Sequence, residues 1–347
     1  MTVTNVEDPP DAVNDTATVA EDTAANVIGV LGNDTDVDGD TLTVSAVSQG
    51  AHGSVTNGGT SVSYTPAANF FGADSFTYTV SDGHGGSDTA SVSVTVTNVN
   101  DAPTAAANSY SVNQDTTLTV PAPGVLGNDS DLDGDLLAAV LAGNVSHGTL
   151  ALAPAGGFVY QPNPHFAGTD GFSYKASDGT VDSNVAPVTI AVADTEPPVI
   201  NAAVATELLW PPNHDLVDVG LAVTATDNAS AVTTQVAVFS DEDDVASGGG
   251  EASPDAKSTA TGSLRLRAER TGSSNGRVYL IIVSAHDASG NASHACRTVV
   301  VPKSASGAAV GAVLQQAQAA RAQCTATGLP PAGYFVVGDG PVIGPKQ

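Results

Sequence analysis

The sequence predicts an all-β protein: tandem β-sandwich domains followed by a short C-terminal helix and an extended tail. Three observations carry that prediction. The 347 residues suffice for two to four domains, taking about 100–150 residues for each. The composition, with 36 Gly and 20 Pro among runs of Val, Thr and Ser, favours short strands joined by tight turns. Finally, the chain repeats itself over a domain-sized interval.

Leu31-Gly32-Asn33-Asp34-Thr35-Asp36-Val37-Asp38-Gly39-Asp40 recurs as Leu126-Gly127-Asn128-Asp129-Ser130-Asp131-Leu132-Asp133-Gly134-Asp135. His52-Gly53 recurs as His147-Gly148, Gly72–Tyr78 as Gly168–Tyr174, and Ser81-Asp82-Gly83 as Ser177-Asp178-Gly179. The offset stays at 95 or 96, so the repeating unit is a whole domain rather than a solenoid turn. The predicted boundaries are 1–10 for a closing strand or linker, 11–101 for the first repeat and 102–195 for the second. A different sandwich spans 196–303, and the helix and tail span 304–347.

Period-two alternation justifies the strands. Val62 and Tyr64 share one face, as do Phe76, Tyr78 and Val80, and again Val92, Val94 and Val96; Ser and Thr face the other way. That is the pattern of half-buried antiparallel strands. In the third domain, strand-like runs fall at 221–226, 235–239, 264–268, 278–283 and 297–301, with an acidic, Gly-rich loop at 240–255. Val310, Val313, Leu314 and Ala317 fit a helix that ends near Gln323. Cys296 and Cys324 are the only cysteines; the even pair fits one disulfide in an oxidising compartment and also fits two free thiols.

The net charge of −27 is unevenly distributed. Before Glu196 there are 23 acidic residues and one base, Lys175. Nucleic acid is excluded as a partner, because phosphate contacts need clustered cations. No apolar run approaches the roughly 18 residues of a membrane span. The chain start lacks a charged region followed by an apolar one, so export would rest on a signal not present in this chain.

The repeated loop is the chemical signal. Asp34, Asp36, Asp38 and Asp40 alternate around Gly39; Asp129, Asp131, Asp133 and Asp135 do so around Gly134. Such crowded carboxylates repel one another without a cation, and Ca²⁺ tolerates irregular sets of six to eight oxygens. An EF-hand beginning at Asp34 would need an acid at its twelfth position, which is Ser45; the second copy has Val140. The remaining ligands must therefore come from elsewhere. Asp74, Asp82, Asp170 and Asp178 are candidates, as are the linker residues Asn100, Asp101 and Glu196, and Asp227 in the third domain. Catalysis by these acids is not expected: glycosidic carboxylates flank a cleft from rigid, separated positions. No metalloprotease, serine-hydrolase or phosphate-loop motif occurs. His52 and His147, at equivalent His-Gly turns, read as structural.

Together, Asp36–Leu42, Phe76–Gly83 and Val96–Pro103 resemble the cadherin-like repeats of bacterial RTX-type adhesins, over residues 1–195. Leu209–His214, Ala225–Asn228 and Asp287–Asn291 resemble another bacterial Ig-like domain. The resemblance implies Ig/cadherin-like sandwiches acting as extracellular spacers, with calcium at the junctions. The second repeat departs from the pattern at its exit, where Asp194-Thr195-Glu196 stands for Asn-x-Asn-Asp.

The expected function is a calcium-stiffened stalk or fibre segment of a bacterial cell-surface adhesin. The alternative is an accessory module that binds a surface glycan or protein through the 240–255 loop; Trp210, followed by Pro211-Pro212, offers a ring to a sugar but reads first as a structural corner packed against the sandwich. Thr2–Val6 and Tyr334–Val337 read as orphan strands at the two ends, which predicts head-to-tail self-association by strand exchange. Cys296 and Cys324, if joined, would pin the helix to the third domain.

Overall fold

The computed structural model describes residues 6–213, 215–241, 256–257, 264–268 and 276–337. It is all-β apart from one C-terminal helix and a 3₁₀ turn at Gly124–Asn128.

Domain 1 contains β1 (Asp15–Ala20), β2 (Asn26–Ile28), β3 (Thr43–Val47), β4 (Gly53–Asn57), β5 (Val62–Pro66), β6 (Gly72–Ser81) and β7 (Ser87–Thr97). One sheet has the order β1-β7-β6-β3 and the other β2-β5-β4. Strands β1 and β7 run parallel, with Asp15 opposite Val92; β6 and β7 form the long antiparallel pair. The expected inward sets are the core: Val62, Tyr64, Phe76, Tyr78, Val80, Val92, Val94 and Val96 pack between the sheets with Val19, Ile28, Val30 and Val55.

Domain 2 repeats the plan. Its strands are β8 (Asn108–Asn113), β9 (Leu118–Val120), β10 (Ala138–Gly143), β11 (Gly148–Leu152), β12 (Phe158–Pro162), β13 (Gly168–Ser177) and β14 (Ala186–Ala193). They form sheets β10-β13-β14-β8 and β11-β12-β9. The His-Gly turns explain themselves here. A side chain on Gly53 would place a Cβ 2.4 Å from the Tyr64 ring, and one on Gly148 would lie 2.5 Å from the Gln161 carbonyl oxygen. The preceding histidines stack on Phe70 and Phe166, with centroids 4.2 and 4.4 Å apart.

Domain 3 is a different sandwich of β15 (Val199–Ala203), β16 (Leu216–Asp218), β17 (Ala222–Thr226), β18 (Thr233–Ser240), β19 (Ala256–Lys257), β20 (Arg265–Arg267), β21 (Gly276–His286) and β22 (Ala292–Pro302). Tyr279, Ile281 and Val283 of β21 face the inter-sheet core. Val278, Leu280 and Ile282 face the other way, under the helix and tail. The helix α1 (Gly307–Thr327) is capped by the Ser306 hydroxyl, which accepts from Ala309 N–H, and ends on Gly328 at φ +73°. Its buried stripe is Val313, Ala317, Ala320 and Cys324, and Leu314 of the expected stripe is exposed. The reason lies at Cys324: its sulfur is joined to that of Cys296 on β22, with Cα atoms 6.2 Å apart, and small alanines let the helix lie that close.

Two further readings of the sequence meet the structure here. The turn before Pro211 is packed by Leu209, 2% exposed, whereas Trp210 is 45% exposed. The tail is no orphan: β23 (Phe335–Val336) pairs antiparallel with β18, and Val337 N–H donates to Val238 C=O at 3.0 Å. Tyr334 and Val336 pack against the Phe239, Leu280 and Cys324 cluster. A strand already paired within its own chain is not a free donor for exchange. Residues 2–5 and 242–255 lie outside the described residues.

Candidate metal centres

Each repeat holds its acidic loop against the strand by which the chain enters. Asp11 pairs with Thr35, and Thr104 with Ser130. Within the loop, Asp36 Oδ1 accepts the amides of Asp38 (2.9 Å) and Asp40 (3.2 Å). Asp131 does the same with Asp133 and Asp135, at 3.0 and 3.2 Å. These turns gather oxygens of Asp36, Asp38 and Asp40 to within 4.8 Å of one another, and those of Asp131, Asp133 and Asp135 likewise.

The structure separates Asp34 and Asp129 from these trios. Asp34 accepts from the buried Tyr78 hydroxyl at 3.1 Å and from Val13 N–H at 2.8 Å; Asp129 accepts from Tyr174 at 2.9 Å and Ala106 N–H at 2.8 Å. Both anchor the loop to the core, and neither is among the oxygens that the other three acids gather.

Asp74 and Asp170 are also removed from the candidate set. Asp74 accepts from Tyr64 Oη (2.7 Å), Ala51 N–H (2.9 Å), His52 N–H (3.0 Å) and Ser75 N–H (2.8 Å). Asp170 has the same four kinds of donor in Tyr160, Ser146, His147 and Gly171. Burial pushes both carboxyls up, but the hydroxyl and the three amides outweigh it and hold both below the usual range. Eight residues along β6 separate Asp74 from Asp82, about 26 Å at strand rise, so the two cannot serve one ion.

Asp82 and Asp178 do lie at the loop end of their domains. Asp82, 3% exposed, accepts three amides on Oδ1, from His84 (2.7 Å), Gly85 and Gly86 (both 3.0 Å). Its Oδ2 is buried without a partner. Asp178 Oδ2 accepts from Asn100 Nδ2 at 2.8 Å, tying the linker to domain 2. Asp101 N–H donates to Asp133 Oδ2 at 2.7 Å, just as Asp8 N–H donates to Asp38 Oδ2 at 2.8 Å. The Asp101 carboxyl is pushed up by burial and then by Asp133, Asp22 and Asp131.

Asp22 comes just after the end of β1, and its neighbour there is a residue which the sequence reading missed. Glu21, at the foot of β1, is 2% exposed. Its Oε1 accepts Val99 N–H of the linker at 2.8 Å, and its Oε2 is buried without a partner. Counting in twos from Val19 puts Glu21 on the inward face, so a signal was present in the sequence. Between domains 1 and 2, then, Glu21 Oε2, Asp101 Oδ2 and Asp131 Oδ2 are all buried and unpartnered. Lys175, the one Lys or Arg of this region, lies 3.3 Å from Asp182. An all-oxygen, anionic donor set with shielded unpartnered oxygens fits a hard divalent cation, calcium above all.

The junction between domains 2 and 3 is built differently. Gln114 stands where domain 1 has Glu21; its Oε1 accepts Thr195 N–H at 3.3 Å, and the unpartnered buried atom is a donor, Nε2. Glu196 meets His165 Nδ1 at 2.9 Å beside Asp115. Asp227 instead converges with Asp194 and Asp287, neither anticipated, to within 4.8 Å. Direct bonds also cross this junction: Asn228 Nδ2 donates to His165 C=O at 2.8 Å, and Ser289 Oγ to Asp194 Oδ2 at 3.2 Å.

Residues 7–95 match the bacterial Ig domain family and residues 100–194 the bacterial cadherin-like domain family. The chain therefore carries these two kinds of module in tandem. No curated protein matches it. Among solved structures it is similar to protocadherin gammaB7 EC3-6 (TM-score 0.52, 15% identity, 84% of this chain and 77% of that one). Human CDH23 EC21-23 gives TM-score 0.49 and 15% identity, over 84% of this chain and 99% of that one. The protocadherin GammaB4 extracellular domain gives 0.49 and 14%, over 84% of this chain; the match spans only 49% of that structure. At 15% identity the likeness to protocadherin gammaB7 EC3-6 speaks to fold alone. Bacterial Ig and cadherin-like domains are typically extracellular, non-catalytic, adhesin-type modules. Among the described residues no helix is long and apolar enough to cross a membrane.

Proposed function

We propose that this chain is a non-catalytic, calcium-stiffened stalk segment of a bacterial surface adhesin or filament. The observation that carries the reading is the first junction, where Glu21 of domain 1, Asp101 of the linker and Asp131 of domain 2 each bury a carboxylate oxygen without a partner, and where Asp133, Asp22 and Asp131 push the Asp101 carboxyl up. Glu21, Asp22, Asn100, Asp101, Asp131, Asp133, Asp135 and Asp178 would hold the ions there. Glu7, Asp36, Asp38, Asp40 and Asp82 form the equivalent set at the start of domain 1. Asp194, Asp227 and Asp287 offer a smaller set at the second junction. Bound calcium supplies positive charge shared between oxygens of two domains. The protein's own contribution is to fix the acids on turns and strand ends, so that ion binding also sets the angle between domains.

Small-angle scattering of the full chain, with millimolar calcium and then with excess chelator, tests the proposal. The expected result is a rod that becomes a bent, flexible ensemble on chelation. The D101A variant should show the flexible profile even with calcium, while both sandwiches stay folded by circular dichroism. A maximum dimension that neither chelation nor D101A changes would overturn the reading.

A further inference from the structure

The two repeats bury the same tyrosine hydroxyl in different surroundings. In domain 2, Tyr174 Oη lies near Ala106 C=O (3.2 Å), Val125 C=O (2.7 Å) and both oxygens of Asp129 (2.9 Å). Its one proton satisfies one of them. Asn108 provides for the two carbonyls: the two protons of its Nδ2 are shared among Ala106 C=O (3.0 Å), Val125 C=O (3.1 Å) and the tyrosine oxygen (3.2 Å).

In domain 1 the position of Asn108 is taken by Asp15, each opening the first strand of its repeat. Tyr78 Oη lies within 3.1 Å of Val13 C=O, Val30 C=O, Asp15 Oδ2 and both oxygens of Asp34. Replacing the amide with a carboxylate removes two N–H donors and adds a negative charge beside Asp34. One hydroxyl proton is left for five oxygens. Asn33 Nδ2 reaches Val13 C=O at 3.2 Å and also serves Asp15, and Val13 N–H reaches Asp34; Val30 C=O has the tyrosine hydroxyl alone among the bonds seen here. The charged groups facing Asp15 are few. Asp34 comes from the loop and Tyr78 from β6; on β7, Val92 lies opposite, and Asp88 is turned to the amide of Ala12 at 2.9 Å. No cation is among them.

We infer that Asp15 keeps a proton in folded domain 1 at a pH where the unfolded chain has already lost it, as a neutral acid standing in for the amide of Asn108, which gives domain 1 a proton response at this position that domain 2 lacks. The proton gives the cluster its missing donor and removes one of two adjacent charges. Burial first, and then Asp34, push the Asp15 carboxyl up against the opposing effects of Tyr78 and Asn33. The sign follows. A folded-state pKa above the unfolded value means stability that is complete below the unfolded pKa and lost as pH rises through the folded one. Asn108 gives domain 2 no such dependence.

The test uses the full chain in chelator, so that ion binding does not contribute. Carboxyl ¹³C resonances, assigned through bonds in the wild type, should give Asp15 a midpoint at least about one unit above the ordinary value of about 3.9. A midpoint at or below that value overturns the inference. Hydrogen exchange then compares wild type with D15N at matched pH. Amide protection in domain 1 should fall at least about fivefold relative to D15N between pH 4 and pH 8, one unit of pKa being tenfold and about half of the unfolded carboxyl being already ionised at pH 4. Domain 2 should acquire the same loss in N108D. Protection ratios that do not change with pH overturn the inference even where the variants fold well, and the wild-type titration decides where they do not.

Discussion

In domain 2, β14 buries every second residue from Ala186 to Val192; in domain 3, β21 buries eight in succession, Gly276 to Val283. The first strand has a core on one side and water on the other. The second is covered on both faces, by the opposing sheet and by α1 with the tail strand. The difference extends to charge, since the two repeats are almost wholly acidic and nearly all bases follow Lys257. On the proposed function, one chain contains two ways of stiffening a small sandwich. The repeats carry anionic oxygens at their ends, which calcium would join. Domain 3 adds a second apolar layer and a covalent tie.

The comparison breaks most sharply under reductant. Cutting Cys296–Cys324, or the C324S variant, should cost domain 3 about 3–4 kcal/mol for a loop of this length and leave the repeats untouched. Chelation should do the converse. Calorimetry of the full chain under the two treatments distinguishes them; a reductant that lowers the repeats' transition would contradict the division.

The Asp–Tyr pairs inside the repeats come next. Y64F and Y160F each remove one of four donors to a buried carboxylate, a loss of about 1–3 kcal/mol, read from urea midpoints. The same carboxylates set an acid limb. Asp74 and Asp170 are held below the usual range, so their stabilisation is present above about pH 3.9 and is lost as pH falls through their lower folded values. D74N and D170N should flatten that limb in pH-dependent melts. The limb has the opposite sign to the effect of Asp15, so D15N should leave it in place.

How far the sequence reached follows the range of the interactions. Alternation at Val92, Val94 and Val96 is local and two-sided, and it specified a sandwich. The carboxylate trios were legible because Asp36, Asp38 and Asp40 are ligated, or repelled, within one turn. Asp34 shares their spacing but belongs to Tyr78, 44 residues away, and spacing alone cannot show which member of a run turns inward. Glu21 was legible as an inward position, two residues after Val19, but its linker partner Val99 is 78 residues distant, so nothing local tied it to the junction. Leu314 looked like core because helical periodicity gives a face; the disulfide and the alanines then chose a neighbouring one.

The smallest effect sharpens the contrast between the two junctions. Glu21 presents an unpartnered oxygen to the first, whereas Gln114 presents an amide donor to the second. The exchange E21Q should therefore weaken calcium binding at the first junction. One site of Kd about 10⁻⁴ M in millimolar calcium contributes about 1.4 kcal/mol, which is the most this substitution can remove. The reciprocal Q114E gives the second junction an acid in the same pocket, beside Asp115 and Glu196 and without Asn-x-Asn-Asp in its linker. Its outcome is set by that linker: with Asp194 already held by Ser289 and the trio shared with Asp227 and Asp287, the new carboxylate gains no complete ligand set. Isothermal titration should show one site weakened in E21Q and none added in Q114E. A new calcium site in Q114E would mean that the two junctions differ by this one residue alone, and that the direct bonds to domain 3 are incidental.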